Sequence, residues 1–506
     1  MVNSLIIVES PNKIKKIKSF LSNDYEVSAS CGHIRNMDPK CMSINIDSSE
    51  NTFEPIYIVV SDKKKIVSSL KSELKNIGSS GIVYLAMDYD REGEAIAWHL
   101  NEVLKLKPSQ TKRILFTEIT KTAILNAVEN PTQIDMNMFY SQQARMVLDK
   151  LIGYMISPIL WKKFNNWKLS GGRVQSVVVK IIQERESEIA KFKSSKFYKI
   201  GCDFWINQKD KEKDNTKTSI KNAILKSTLD NEIKTKEELD VLVKYIPHSD
   251  TKFIVNSNKT SQSKRKPPPP FITSSLQQEA SNKLSMSPKS TMSSAQKLYE
   301  CGLITYMRTD STMLSEDAHK AIYKKVVVKF GEDYYKKTQF KSKSKSSQEA
   351  HEAIRPTHFE KESVIEENSK INSYDNRLYQ LIWKRAVASQ MKPAEVETTT
   401  VKVKLDNEDC YKEENSDPFI FIAKAEKILF DGYLKLYGKK TTTEISEEDN
   451  DDDHKSSSGN ITMSENTIKK IKSLKKDDGV YFALFDALEK NSKSPKSRFT
   501  EASLIK

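Results

Sequence analysis

The segment Asp88-Tyr89-Asp90-Arg91-Glu92-Gly93 presents three carboxylates at alternating positions. It follows the apolar run Ile82 to Met87, which reads as a buried strand, and opens the helical pattern Glu92 to Leu104. A fourth carboxylate, Glu9, ends a second apolar run, Leu5 to Val8. In open α/β sheets functional groups gather just beyond the carboxyl ends of strands, so Glu9, Asp88, Asp90 and Glu92 can converge. Carboxylates brought together repel unless they are protonated or bridged by a cation. An oxygen-rich set of this kind suits Mg²⁺, which keeps several waters and also contacts phosphate. An acidic turn at a helix N-terminus fits the same residues, and spacing alone leaves the two readings level. A calcium EF-hand loop does not fit, because its twelfth position must be Glu and here is His99.

A second source of chemistry is harder to pick out. The chain has 19 tyrosines, and a phenol with a pKa of about 10 is a weak nucleophile unless positive charge or a proton acceptor assists it. Tyr306 has Arg308 two residues on, which in an extended segment projects to the same side. A guanidinium there can hold a phosphate and stabilise developing negative charge, or simply pair with Asp310. Gly302 reads as a helix C-cap, which places Ile304 to Arg308 at an exposed junction. A buried strand position is the commoner fate of a tyrosine in such a run.

The elements that must position these groups follow from periodicity. Leu5–Val8, Ile56–Val60, Ile82–Met87 and Arg113–Phe116 read as strands. Lys13–Leu21, Lys63–Ile77, Glu92–Leu104 and Thr120–Glu129 read as helices. That alternation argues for a mostly parallel α/β sheet. Met136 to Lys191 is helical, interrupted by Gly171-Gly172. Phe197–Phe204 and Thr398–Val403 look like β segments around a helical block from Ser274 to about Val328, which the stiff run Pro267–Pro270 precedes. Asn207–Thr218, Lys341–Ser347 and Thr441–Glu465 read as solvated insertions too polar to order themselves.

Length and charge bound the rest. At 506 residues the chain exceeds one ordinary domain. Its net charge of +14 favours a polyanionic partner, nucleic acid or a membrane surface. No run is long enough to span a bilayer and no signal peptide is apparent, which leaves nucleic acid and an intracellular setting. The five cysteines, at 31, 41, 202, 301 and 410, show neither zinc-ligand spacing nor a disulfide framework. No Walker-type phosphate loop is present, so ATP is not expected.

Longer stretches carry a resemblance. "IIVESPNKIKKI" and "AMDYDREGEAIAWHL" are similar to the two motifs of the Toprim fold. With "CGHIRNM", "SQQARMVLDKLIGYMISPILWKK", "LSGGRVQSV", "PFITSSLQQEAS", "LYECGLITYMRTDST" and "QEAHEAIRP", they resemble the type IA DNA topoisomerases, specifically the bacterial topoisomerase I branch, in the family's order and over nearly the whole chain. The resemblance implies a multidomain α/β and α+β toroid. Residues 1–135 would form a Toprim domain. Residues 136–196 would form a helical DNA-binding domain whose remainder begins near 495. Residues 197–272 and 369–494 would form a β-rich hinge or arch, and residues 273–368 the unit carrying the nucleophile.

The same resemblance assigns roles. Tyr306 aligns with the nucleophile that forms a 5′-phosphotyrosine, with Arg308 beside it. Lys13 would contact the scissile phosphate or protonate the leaving oxygen, and His351 would contact phosphate. Glu9 joins the catalytic set as well as the carboxylates. His33, Arg145, Met146, Asp149, Tyr154, Trp161, Ser170, Gly171, Gly172, Arg173, Val174, Gln175 and Arg308 would line the path of single-stranded or underwound DNA. Read without the family, Arg145 and Asp149 are an i,i+4 ion pair, Tyr154 and Trp161 are core aromatics, and the Gly pair permits close backbone approach to DNA. The expected activity is Mg²⁺-dependent, ATP-independent relaxation of negative supercoils by a monomer.

The chain stops at "SRFTEASLIK", where the family continues into a further helical segment. A missing C-terminal segment or a second polypeptide is therefore expected to complete the DNA-binding unit. The neighbouring readings are a topoisomerase III-like decatenase, a DNA-binding protein without strand passage, and a Toprim nuclease that leaves Tyr306 idle.

Overall fold

The computed structural model describes residues 3–78, 80–194, 196–208, 225–231, 233–246, 252–340, 352–366, 369–406, 419–438, 465–491 and 495–505. His351, Cys410 and most of the three polar insertions lie outside them.

Near the N-terminus β1 (Ser4–Val8) is buried along its whole length, as a continuous apolar run in a parallel sheet must be. β2 (Tyr25–Ala29), which periodicity did not single out, pairs with it on one side. The small strands β3 (Arg35–Met37), β4 (Ile44–Asp47), β5 (Thr52–Pro55) and β6 (Tyr57–Val59) follow. β7 (Ile82–Ala86) flanks β1 on the other side, and β8 (Thr111–Arg113) completes a four-stranded parallel sheet in the order β2-β1-β7-β8. The run Ile56–Val60 does form a strand, but β6 pairs antiparallel with β3 outside this sheet.

Alternate side chains of β1 enter different cores. Leu5 and Ile7 pack with Val67, Leu70 and Ile96, from α2 (Lys64–Ile77) and α3 (Arg91–Leu104). Ile6 and Val8 share a cluster with Ile17 of α1 (Ile14–Lys18) and Ile124 of α4 (Lys121–Glu129). That second cluster is continuous with residues around Tyr306, so the tyrosine-bearing region is packed against the sheet.

α5 (Met136–Phe164) and α6 (Arg173–Lys191) form the helical region. α6 has no buried residue, and Val174, Val177, Val179, Ile181 and Ile182 are exposed along it. The segment from residue 495 returns to α6, where Arg498 pairs with Glu186 at 2.7 Å and Phe499 lies under Arg185 at 4.0 Å.

The strands β9 (Lys196–Trp205), β10 (Leu225–Leu229), β11 (Phe253–Arg265), β12 (Ala394–Leu405), β13 (Ile420–Phe430) and β14 (Gly479–Asn491) close into a barrel in the order β10-β13-β12-β11-β14-β9. Phe204, Phe253 and Phe421 meet edge to face inside it, and α7 (Lys236–Tyr245) contributes Leu242 to its core. The two β regions expected from sequence are thus parts of one closed sheet.

Between β11 and β12 lie α8 (Thr273–Leu284), α9 (Pro288–Glu300), α10 (Glu316–Phe330) and α11 (Ser373–Ser389). Leu378, Tyr379, Ile382 and Trp383 of α11 pack in the same cluster as Leu298 and Tyr299 of α9. The expected range 369–494 for the arch must therefore give up α11, whose apolar face belongs with the tyrosine-bearing helices. Among the described residues no helix is long and apolar enough to cross a membrane.

Candidate active site

The parallel register Val8↔Ala86 sets the carboxyl ends of β1 and β7 side by side, so Glu9 and the loop from Met87 to Asp90 leave the sheet together. Asp90 caps α3, its side chain accepting from Gly93 N–H at 2.8 Å. Gly93 is required there, because a Cβ would lie 2.0 Å from the Asp88 carbonyl oxygen.

The loop is fixed from beneath by Arg113, a residue the sequence reading did not single out. Its fully buried guanidinium pairs with Glu94 at 2.8 Å. It also donates to the carbonyls of Leu85, Met87 and Asp88 at 3.0, 2.9 and 3.0 Å. With Nε on Glu94 and one further bond from Nη1 to Ile114 O at 2.7 Å, the buried charge is fully engaged and holds the turn's shape.

Lys13 does not face solvent. It is fully buried, ion-paired to Asp88, and lies 5.0 Å over the Tyr299 ring. Tyr299 O–H also donates to Asp88, at 3.4 Å. Burial, reinforced by the charge of Asp88 and then Asp90, pushes the Glu9 carboxyl up to about 7. Lys13 and Arg308 oppose that rise.

Tyr306 is reached through a Schellman turn. α9 ends at Glu300, Gly302 takes φ +69°, and Leu303 N–H and Gly302 N–H return to the carbonyls of Leu298 and Tyr299. The C-cap reading of Gly302 holds, but the exposed junction does not. Ile304, Thr305, Tyr306 and Met307 are buried, because they sit between the sheet's α1/α4 face and the helices of their own unit. Tyr306 O–H donates to Asp90 Oδ2 at 2.5 Å, and Arg308 Nη1 lies 3.7 Å from the same oxygen. Arg308 thus projects to the tyrosine's side, with Asp90 as its ion-pair partner. Burial, then Asp90 and Asp88, hold the phenol well above its ordinary value.

Glu92 is turned elsewhere. It accepts from His33 at 2.8 Å and Gln142 at 3.2 Å, and the His33 contact holds its carboxyl below the ordinary range. Of the four expected metal ligands, the structure groups Glu9, Asp88 and Asp90 and directs Glu92 to His33. The reason is helical: Glu92 lies in the first turn of α3, on the side facing α5. Among the described residues no group of three or more His, Cys, Asp or Glu is already set as a metal cage. The donor set nevertheless fits a hard cation: burial first, then the charges of Asp88 and Asp90, penalise the ionised form of Glu9, and a cation among the three carboxylates would offset that charge.

Beside Asp90 and Glu92 opens a cleft of about 600 Å³, lined also by Arg91, Gln142, Arg145, Thr273, Ser274, Gln277, Arg308 and Thr309. Gln142, Arg145 and Asp149 recur on one face of α5. Asp149 is ion-paired with Arg173 at 3.1 Å rather than with Arg145. Partial burial, and then the charges of Arg91 and Arg173, lower the Arg145 guanidinium below its ordinary value, with Glu92 and Asp149 opposing the shift. Tyr154 O–H donates to Pro39 O at 2.9 Å and Trp161 Nε1 to Leu169 O at 2.6 Å, so both polar edges serve the fold. Met146 packs in the small cluster around Met37 and Val147. Ser170 Oγ accepts from Gln175 at 3.0 Å, and Val174 is exposed. At Gly171 a Cβ would meet Ile156 Cγ2 at 2.5 Å, so packing on α5 already demands that glycine. At Gly172 the atoms nearest a Cβ would be those of the Gln175 side chain, at 3.0 to 3.3 Å.

Comparison with known proteins gives the family. The Toprim domain profile matches residues 4–119, and the DNA topoisomerase family profile matches residues 133–506. The chain belongs to the DNA topoisomerase family. A prokaryotic-type DNA topoisomerase 1 from Acanthamoeba polyphaga mimivirus is 44% identical over 444 residues, covering 86% of this chain and 50% of the relative. The chain therefore spans about half the length of that curated relative. Full-length topoisomerase I from Thermotoga maritima superposes with a TM-score of 0.76 at 35% identity, over 99% of this chain and 74% of that one. The prokaryotic topoisomerase I type expected from the motifs is borne out, as is the mixed fold with an N-terminal Toprim domain. Toprim domains generally bind a divalent metal.

Proposed function

We propose that this topoisomerase family member cuts one DNA strand through Tyr306, holds the end as a 5′-phosphotyrosine, passes DNA through the gap and reseals it, relaxing negative supercoils without ATP. The observation that carries this reading is the convergence of Tyr306 O–H, Arg308 and the buried Lys13–Asp88 pair on the carboxyl ends of β1 and β7.

In the closed arrangement the phenol is a donor, so attack on a phosphodiester requires that its proton pass to Asp90 Oδ2, which already accepts it. Arg308 flanks that oxygen and offers its fork to the phosphate as charge develops. The leaving 3′ oxygen takes a proton from Lys13, or from Glu9 while that carboxyl is protonated and holds no cation. Religation runs these transfers backwards; the phosphotyrosine conserves the bond energy, so no nucleotide is consumed. Mg²⁺ held by Glu9, Asp88 and Asp90, with Glu92 in support, would supply charge neutralisation for the carboxylates and the phosphate.

The single strand approaches along the arginine-lined cleft, past Gln142 and Arg145 on one wall and Thr273 and Ser274 on the other, with His33 held against Glu92. Tyr154, Trp161 and the 170–175 turn shape α5 and α6 behind it; the phosphate-contacting role of His351 rests on the motif alone. The enzyme acts as a monomer, inside whichever compartment holds its DNA. Relaxation of a negatively supercoiled plasmid with Mg²⁺ and no ATP, lost in Tyr306→Phe, tests the whole cycle.

A further inference from the structure

The main chain carrying Tyr306 is stitched from two sides. Tyr306 N–H donates to Thr117 O at 2.7 Å, across the contact with the Toprim region. Thr305, one residue earlier, exchanges two hydrogen bonds with Arg355: its N–H donates to Arg355 O, and its hydroxyl accepts from Arg355 N–H, both at 2.9 Å. The residue after Thr117 is Glu118, and its carboxylate is ion-paired with the Arg355 guanidinium at 2.9 Å. Both side chains are largely buried, 19% and 7% exposed. One guanidinium therefore ties both sides of the bracket around residues 305 and 306, yet it touches none of the reacting groups.

Each charge also has a partner within its own region. Arg355 holds Glu352 through two bonds of 2.6 and 2.7 Å and donates to Pro356 O at 2.9 Å. Glu118 accepts from the Thr120 hydroxyl at 3.0 Å. Separating the two regions thus leaves neither charge buried and unpaired, the usual reason a buried ion pair cannot be broken. Arg113–Glu94, by contrast, lies wholly within the Toprim region and has no such exit. The surfaces also fit closely here: a Cβ at Gly302 would meet Ile119 O at 2.5 Å.

We propose that Glu118 and Arg355 are positioning residues that form a breakable latch, seating Tyr306 against Asp90 when the tyrosine unit is closed and releasing it when the unit lifts. The latch rests on the strand-passage reading above. It matters most after cleavage, when the cut strand no longer bridges the two regions and religation depends on their return.

The test uses the full chain with Glu118→Gln, which keeps shape and removes charge, and Glu118→Asp as the conservative variant. Hydrogen exchange is followed in peptides covering residues 303–308 and, as a control, strands β12 and β13 of the barrel. In Glu118→Gln the 303–308 peptides exchange at least tenfold faster while the barrel is unchanged, and Glu118→Asp recovers part of the protection. With a single-stranded oligonucleotide, religation of the preformed adduct slows more than cleavage, so the adduct fraction at equilibrium rises several-fold. Unchanged exchange at 303–308 overturns the latch. So does faster exchange everywhere with an unchanged adduct fraction, which is a structural role only. If the wild-type chain forms no adduct, the strand-cutting reading fails, and exchange at 303–308 still decides whether Glu118 seats Tyr306.

Discussion

Tyr306 O–H donates to Asp90 Oδ2 at 2.5 Å across 216 residues of sequence, and Asp90 Oδ1 at the same time caps the first turn of α3. One carboxylate thus joins the nucleophile to the Toprim turn, and whatever disturbs the turn disturbs the tyrosine.

Gly93→Ala tests that dependence. The added methyl would lie 2.0 Å from the Asp88 carbonyl oxygen, so the turn must move. A loss of about 3 kcal/mol in stability is expected from overpacking. Adduct formation should be lost even at temperatures where the variant stays folded by circular dichroism.

Arg308→Ala should slow cleavage of a single-stranded oligonucleotide by roughly 10²- to 10³-fold, the usual effect of removing one donor aimed at developing charge. Binding of the uncut oligonucleotide should weaken far less. Arg308→Lys keeps the charge without the fork and should fall between the two. Single-turnover quench kinetics measure it.

Glu9 predicts a pH dependence of stability. Its carboxyl titrates at about 7 in the fold, above the usual 4.5, so the ionised form is the penalised one. That contribution is fully present below about pH 4.5 and lost as pH rises through about 7. Without divalent cations, Glu9→Gln should therefore be more stable than wild type at pH 8, by up to about 3 kcal/mol, and show no gain at pH 4. Mg²⁺ should raise the melting temperature of wild type more at pH 8 than at pH 5, because it binds the ionised set. Parallel pH profiles for the two proteins would remove Glu9 from the cluster.

Arg113→Met should cost about 3–5 kcal/mol, since it strands the buried Glu94 carboxylate. The double variant Arg113→Met with Glu94→Leu should regain much of that stability without regaining cleavage, because the carbonyls of Met87 and Asp88 lose the guanidinium that holds the turn. Denaturant melts and adduct yield separate the two effects.

Much of this arrangement was legible in the sequence, and the exceptions have physical causes. Glu9 and the Asp88–Glu92 run could be placed because short apolar strands ending in carboxylates announce a sheet edge. Tyr306 could be named only through the motif around it, since its burial and its bond to Asp90 depend on a partner 216 residues away. Arg113, Glu118 and Arg355 escaped notice for the same reason: nothing local marks an arginine whose partners come from other strands and loops. The barrel strands were readable one at a time by composition, but their closure joins residues 196 to 491, and strand pairing over such distances leaves no local signal. Ile56–Val60 was readable as a strand but not as an outsider to the parallel sheet, because period and composition carry no partner.

The most direct measurement uses a single-stranded oligonucleotide labelled at its 3′ end, mixed with the protein and Mg²⁺ and quenched with denaturant. Nucleophilic attack by Tyr306 predicts label covalently bound to the protein and none bound in Tyr306→Phe. A labelled fragment bearing a free 5′ phosphate, produced equally by Tyr306→Phe, would contradict it and assign the cut to water at the carboxylates.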